Sequence, residues 1–133
     1  MLGNTPVAVV LPTTDLDRSR MFYVDALGLT EMPLPVGNTV DAMLLDSGGS
    51  LVLIYQRDEP TKAEHTVAAW MVEDFDTVVD ELIALGITID TYPEMPNTVW
   101  DDRGVASDDS GMRSAWFRDP DGNILSVNAA PMN

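Results

Sequence analysis

The chain is poor in side chains that do covalent or metal chemistry. It has no cysteine and a single histidine, His65. Without cysteine there are no disulfides, no thiolate nucleophiles and no cysteine-bound metals. One imidazole is one ligand, whereas a first-row divalent ion needs three or four N, O or S donors. His65 therefore reads as a histidine at a strand end. The acidic pairs Asp101-Asp102 and Asp108-Asp109 offer oxygen ligands for Ca²⁺ or Mg²⁺ but lack the spacing of an EF-hand loop, and they read as solvated turns. General acid or base work would fall to His65, Tyr55, Glu73 or Asp102, and none of these sits in an evident nucleophile-plus-base pair. No Ser–His–Asp set and no glycine-rich phosphate cradle is present. What the chain does offer is stacking chemistry, above all Trp116 in "WFRDPDGNILSV" and Trp100 in "NTVWDD".

Charge narrows the partners. Twenty-two acidic residues against seven basic give a net charge of -15 over 133 residues. Nucleic acid binding rests on Lys and Arg displacing counterions, so nucleic acid is a poor partner, and so is an anionic membrane surface. The acidity serves solubility in the plain reading. In the sharper reading it attracts a cationic small molecule through the summed field. No apolar run approaches the roughly 18 residues a membrane span requires. The first residues lack the basic-then-apolar pattern of a signal peptide, and a cytoplasmic location is the default expectation.

An internal repeat supplies the elements that would position these residues. "VAVVLPTTDLDRSRMFYVDALGLT" and "TVAAWMVEDFDTVVDELIALGITI" each run from an apolar strand through Asp-apolar-Asp into a helix ending in Leu-Gly. The copies are offset by roughly 58 residues. Asp15 and Asp74 stand where a helix cap belongs. Asp17 and Asp76 follow in the first turn, where the helix dipole favours negative charge. Phe22, Ala26 and Leu29 in one copy, and Val78, Leu82 and Leu85 in the other, keep helical spacing and are the expected core faces. Gly28 and Gly86 are placed to end the helices in a left-handed conformation.

Strand-like runs follow each helix. "VDAMLLDSGGSLVLIYQ" reads as two strands about a Ser-Gly-Gly turn, and "GITIDTY" and "MRSAWF" lead into "NILSVNA". In Asp119-Pro120-Asp121-Gly122, Pro presets φ and Gly accepts a positive φ, so a tight turn pairs Asp119 with Asn123 and Trp116 with Ser126. Each copy is thus strand, helix, three strands. The segment 93–111 is rich in Pro, Gly and Asp and too long for a connector, and is expected to be a mobile flap.

The repeat, the "DLDRSRMFYVDALGL" segment and the "DPDGNILSV" hairpin together resemble the vicinal oxygen chelate superfamily, which includes glyoxalase I, extradiol dioxygenases, fosfomycin-inactivating transferases and bleomycin resistance proteins. The resemblance spans essentially the whole chain. It implies an α+β fold in one domain over 1–133, with two βαβββ modules (about 5–57 and 65–130) forming a curved eight-stranded sheet around a cavity. Metal-dependent members place His, Gln or Glu ligands on the concave face, one per strand. Matched position by position, those ligands fall here on Ala8, Leu53, Val67 and Ser126. Ala, Val and Leu have no lone pair to give and Ser alone is a poor ligand. The expectation is a member without the metal site and without a cofactor.

Alternation along the strands then gives the cavity lining. Val67 brings Ala69 and Met71. Ala8 brings Val10, and Leu53 brings Leu51 and Tyr55. Ser126 brings Trp116, Ser114 and Met112 through cross-strand pairing, with Trp100 added from the flap. This lining suits a small hydrophobic or aromatic ligand held by stacking and a few hydrogen bonds, with a cationic one as the option the acidic surface adds. The resemblance also implies a homodimer. The leading expectation is a metal-independent binding protein of the bleomycin-resistance type, which protects by sequestering a drug. The alternative is a glyoxalase-like lyase or isomerase, or a dioxygenase-related enzyme.

Overall fold

The computed structural model describes residues 1–35, 37 and 40–131. The chain divides by its contacts into two compact units. One holds 1–63 with 119–123, and the other holds 64–118 with 124–133.

In the first unit, β1 (Val9–Thr13) leads into α1 (Leu16–Arg20), whose cap is Asp15: its Oδ1 accepts the Arg18 N–H at 3.1 Å. From Met21 to Ala26 the helix widens to π geometry, with the Leu27 N–H bonded five residues back to the Phe22 carbonyl at 2.9 Å. Three strands follow, β2 (Thr30–Met32), β3 (Ala42–Ser47) and β4 (Ser50–Gln56), and the sheet order is β1-β4-β3-β2. Leu11, Ile54 and Met43 form one buried row across the sheet, and Leu45 and Val52 sit in the next. The extra residue per π turn rotates the helix surface. Tyr23 is fully buried and Leu29 nearly so, while Phe22 and Ala26, expected in the core, are only half-buried.

In the second unit, β5 (Thr66–Met71) leads into α2 (Phe75–Ala84). Phe75, Val79 and Leu82 are its buried face, at spacings of four and three. Leu85, expected there, is 54% exposed because it lies past the last helical turn. Then come β6 (Thr98–Trp100), β7 (Ala106–Asp108), β8 (Arg113–Arg118) and β9 (Ile124–Ala129), in sheet order β5-β9-β8-β7-β6. Ala115, Phe117, Leu125 and Val127 are the buried side of β8 and β9, as the alternation requires.

The α+β class and the repeated module stand as expected, the first unit as βαβββ and the second with one strand more. The expected eight strands become nine among the described residues. The difference lies in segment 93–111, which supplies β6 and β7. "GITIDTY", expected as a strand, contributes only a single bridge, Asp90 to Trp116. Nor is 93–111 a structureless flap. It is a hairpin laddered onto β8, and its bend packs Gly104 (φ 90°) so closely that a Cβ would stand 3.2 Å from both Ile89 and Thr91 side chains. Gly28 and Gly86 both take φ 83°, as their helix-ending role demands. Among the described residues no helix is long and apolar enough to cross a membrane.

The turn between β8 and β9 packs with the first unit. Asp121 accepts from Thr13 Oγ1 (2.6 Å), Thr14 N–H (2.9 Å), Thr14 Oγ1 (2.8 Å) and Arg18 Nη2 (2.8 Å). Asp119 accepts from Tyr23 Oη (2.6 Å) and Asn123 Nδ2 (2.7 Å). Burial, then the adjacent Asp119 charge, pushes the Tyr23 hydroxyl far above its ordinary range, so it stays a donor.

Candidate functional site

The side of the second sheet opposite α2 presents three rows of side chains, and the strand register fixes all three. The middle row is Ala69, Ser126, Trp116 and the bridged Asp90. On one side lies Met71, Asn128, Ser114, Ala106 and Trp100, and on the other Thr66, Ile124 and Arg118. The expected pairing of Trp116 with Ser126 is observed, and it follows from the Asp119–Asn123 turn, where the Asp119 N–H meets the Asn123 carbonyl at 3.0 Å.

Aromatic rings dominate this face. Tyr92 meets Trp116 edge-to-face at 5.6 Å, and Trp100 meets it at 6.0 Å with a 47° tilt. All three are half-buried. The Trp116 indole is fixed by donating from Nε1 to Thr66 Oγ1 at 3.1 Å. Trp100 Nε1 is buried with no acceptor. An unsatisfied buried donor costs about 1–3 kcal/mol. Burial, then the Asp90 and Glu94 charges, raises the Tyr92 hydroxyl above its ordinary value, against the opposing pull of Arg118. Tyr92 is therefore a neutral phenol at neutral pH.

The expected site residues separate into two groups. Trp116, Trp100, Ser114, Ser126, Ala69 and Met71 share the face just described. Ser126 is 2% exposed, and its Oγ accepts from Asn128 Nδ2 at 3.0 Å. Met71 and Ala69 are exposed, and Ser114 is half-buried. Met112 precedes β8 and is half-buried, its N–H held by Asp108. Val67 falls in an irregular stretch of β5. The register shifts between Thr66, opposite Ile124, and Ala68, opposite Leu125, which leaves Val67 as the extra residue of a bulge. Thr66, opposite Ile124, shares the face of Trp116. Ala8, Leu53 and Tyr55 belong to the other unit. There Leu53 pairs with Val10 and Leu44, and Tyr55 with Pro12 and Ala42, while Ala8 is exposed just before β1.

Thr66, Tyr92 and Asp90 were not evident from the sequence. A one-residue bulge hides Thr66 from a count along the chain. Asp90 and Tyr92 are two apart in "IDTY", so alternation alone would have put them on one face. The neighbouring Pro93 and the following hairpin conceal where that short run pairs.

The donor set does not fit the metal of the family's catalytic members. Ala8, Leu53 and Val67 carry no donor atom, and Ser126 Oγ is already engaged by Asn128. Among the described residues no three His, Asp or Glu side chains cluster as a metal site. A depression of 710 Å³ lies elsewhere in the second unit, at the start of α2. Of its charged lining residues, Glu73, Asp74, Asp76 and Arg113, the last two are bonded to each other at 2.8 Å.

A repeated strand–helix–strands module, with its helix on one side of each sheet, defines the class of fold. The chain belongs to the Glyoxalase/Bleomycin resistance protein/Dioxygenase superfamily, whose model matches residues 5–127. Solved structures share the fold. A glyoxalase family protein from Enterococcus faecalis superposes with TM-score 0.67 at 22% identity, covering 96% of this chain and 99% of that one. TioX from Micromonospora sp. ML1 gives 0.68 at 21%, covering 95% and 98%. FosX, a genomically encoded fosfomycin resistance protein from Listeria monocytogenes, gives 0.69 at 15%, covering 95% and 93%. A search of curated proteins found no match.

Proposed function

We propose that this protein is a metal-independent, small-molecule-binding member of the superfamily that sequesters a flat aromatic compound without changing it. The observation that carries this reading is the ring cluster of Trp116, Trp100 and Tyr92 on a sheet face where Ser126 stands at a matched metal position. Aromatic faces bury large area and orient a planar partner by offset or edge contacts. The net charge of -15 favours a basic ligand over an acidic one. Likeness in fold to a fosfomycin resistance protein agrees with a drug as the ligand class.

The test is titration of a panel of planar heteroaromatic compounds against tryptophan fluorescence, followed by mass spectrometry of the recovered ligand. Binding with an unmodified ligand is expected. Trp116→Ala should weaken it about thirtyfold, the ~2 kcal/mol of a central aromatic anchor. Turnover of a hemithioacetal or a catechol by metal-loaded protein, or a panel in which nothing binds, would sink the reading.

A further inference from the structure

The ion pair of Asp90 and Arg118 lies on the same face as the rings, and three observations place it beside them. Asp90 bridges to Trp116 in antiparallel register, its N–H donating to the Trp116 carbonyl at 2.8 Å, and cross-strand partners share a face. Arg118 is two residues after Trp116 on β8, so alternation puts it on that face too. Both charges act on the Tyr92 hydroxyl, with opposite signs. Arg118 Nε meets Asp90 Oδ2 at 2.9 Å. The two partners are not equally fixed: the Asp90 side chain is 20% exposed and that of Arg118 is 59%. The carboxylate is anchored by its backbone bridge, while the guanidinium reaches it from solvent on a long, flexible stem.

We propose that Asp90 is the specificity-determining residue of the aromatic face, and that Arg118 is an internal cation that a ligand's ammonium or amidinium group displaces. The inference rests on the stacking role proposed for Trp116 and adds which atom reads the ligand's charge. A cationic ring system laid against Trp116 exchanges one charge-assisted contact on Asp90 for another and releases Arg118 to water. A neutral ring leaves the pair intact. An anionic ring meets Asp90 and Glu94 and is repelled. Arg118 lowers the affinity for cations that Asp90 alone would give, so removing either partner shifts charge preference in opposite directions.

The opposite signs make the test decisive. Three planar probes of one shape are used at neutral pH: 9-aminoacridine as the cation, acridine as the neutral form and acridine-9-carboxylate as the anion. The quantity read by calorimetry is the ratio of cation to neutral affinity. In the unaltered protein the cation should bind tightest and the anion weakest. Asp90→Asn should lower the ratio about threefold to fivefold and Arg118→Gln should raise it about threefold, the scale of a partly exposed charge pair. Both shifts should shrink in high salt. Circular dichroism checks the fold of each variant; if Asp90→Asn does not fold, the sign of the Arg118→Gln shift decides. Ratios unchanged in both variants, or a neutral probe that binds tighter than the cation, overturn the inference while leaving the stacking role in place. If none of the three probes binds, the stacking role fails and the inference falls with it.

Discussion

The turn joining β3 to β4 and the turn joining β8 to β9 hold the same place in the repeat, yet they behave oppositely. In the first, Asp46 is half-buried and accepts a single hydrogen bond from the Gly49 N–H at 3.2 Å. In the second, Asp119 and Asp121 are 6% and 7% exposed and between them gather donors from Thr13, Thr14, Arg18, Tyr23 and Asn123. The sheet faces away from the helices diverge in the same way. That of the first unit is largely aliphatic, with Val10, Leu44 and Leu53. That of the second carries rings, hydroxyls and an amide. The core rows and strand order are common to both copies. What the repeat holds constant is burial, and what it varies is the turn chemistry and the face away from the helix.

The largest effect should come from the buried turn. Asp121→Ala strands the Thr13 hydroxyl, the Thr14 N–H and the Arg18 guanidinium together, and should cost about 3 kcal/mol in urea unfolding, as loss of one partner of a buried charged network does. Asp46→Ala should cost less than about 1 kcal/mol, since Gly49 can turn to water. Equal losses would erase the contrast between the turns. The acid limb should separate them too. Burial pushes the Asp121 carboxyl up, but hydrogen bonds from Thr13 and Thr14 and the Arg18 charge outweigh it and hold the group below its ordinary range. A depressed folded pKa stabilises fully above the unfolded value of about 3.9, and that stability is lost as pH falls through the folded value. Asp121→Asn should flatten the fall in stability below about pH 4 relative to the parent.

Much of this was legible in the residues, and the boundary of legibility is physical. Local signals settled the modules, the helix-ending glycines and the pairing of Trp116 with Ser126, because a Pro-Asp-Gly turn leaves one register open. The π turn at Met21–Ala26 was not legible. It exchanges Phe22 for Tyr23 in the core because Tyr23 has a partner, Asp119, that lies 96 positions away in the chain. The bulge at Val67 was equally hidden, since a period-two count carries no signal for an inserted residue. Segment 93–111 read as a flap because β6 and β7 are only three residues each and are bordered by Pro and Gly. Their order comes from laddering onto β8 and from the fit of Gly104, which no local pattern encodes.

The two helix caps sharpen the comparison at a middle scale. Asp15 and Asp74 hold equivalent places, but only Asp15 makes a side-chain cap bond, to the Arg18 N–H. Asp74 lies at φ -94° and ψ 61°, and its carboxylate caps nothing. Asp15→Ala should cost about 1 kcal/mol, and Asp74→Ala should fall within about 0.5 kcal/mol of no change. Thermal or chemical unfolding of the two variants measures the difference. A reversed order would mean that the helix of the second unit depends on Asp74 through the dipole alone.

The smallest effect concerns arginines that serve the two units differently. Arg103, at the bend of the β6–β7 hairpin, donates to Asp76 (2.7 Å), Asp80 (3.1 Å) and Asp101 (3.3 Å), and Arg113 shares Asp76 at 2.8 Å. The guanidiniums of Arg113 and Arg103 together hold the Asp76 carboxyl well below the usual carboxylate range. Asp76 and Asp80 are nonetheless more than half exposed, so water and salt compete for every contact. Arg18 reaches a carboxylate that solvent does not touch. Arg103→Gln should therefore lose less than about 1 kcal/mol at low salt. That loss should fade at 1 M salt, where the screening length is about 3 Å. Arg18→Gln should lose more, and its loss should persist in salt, because the Asp121 it leaves behind remains buried. Unfolding curves of both variants at low and high salt test this directly. A salt-sensitive Arg18 or a salt-resistant Arg103 would break the distinction between a unit tied together by buried polar contacts and a hairpin tethered to α2 through solvent.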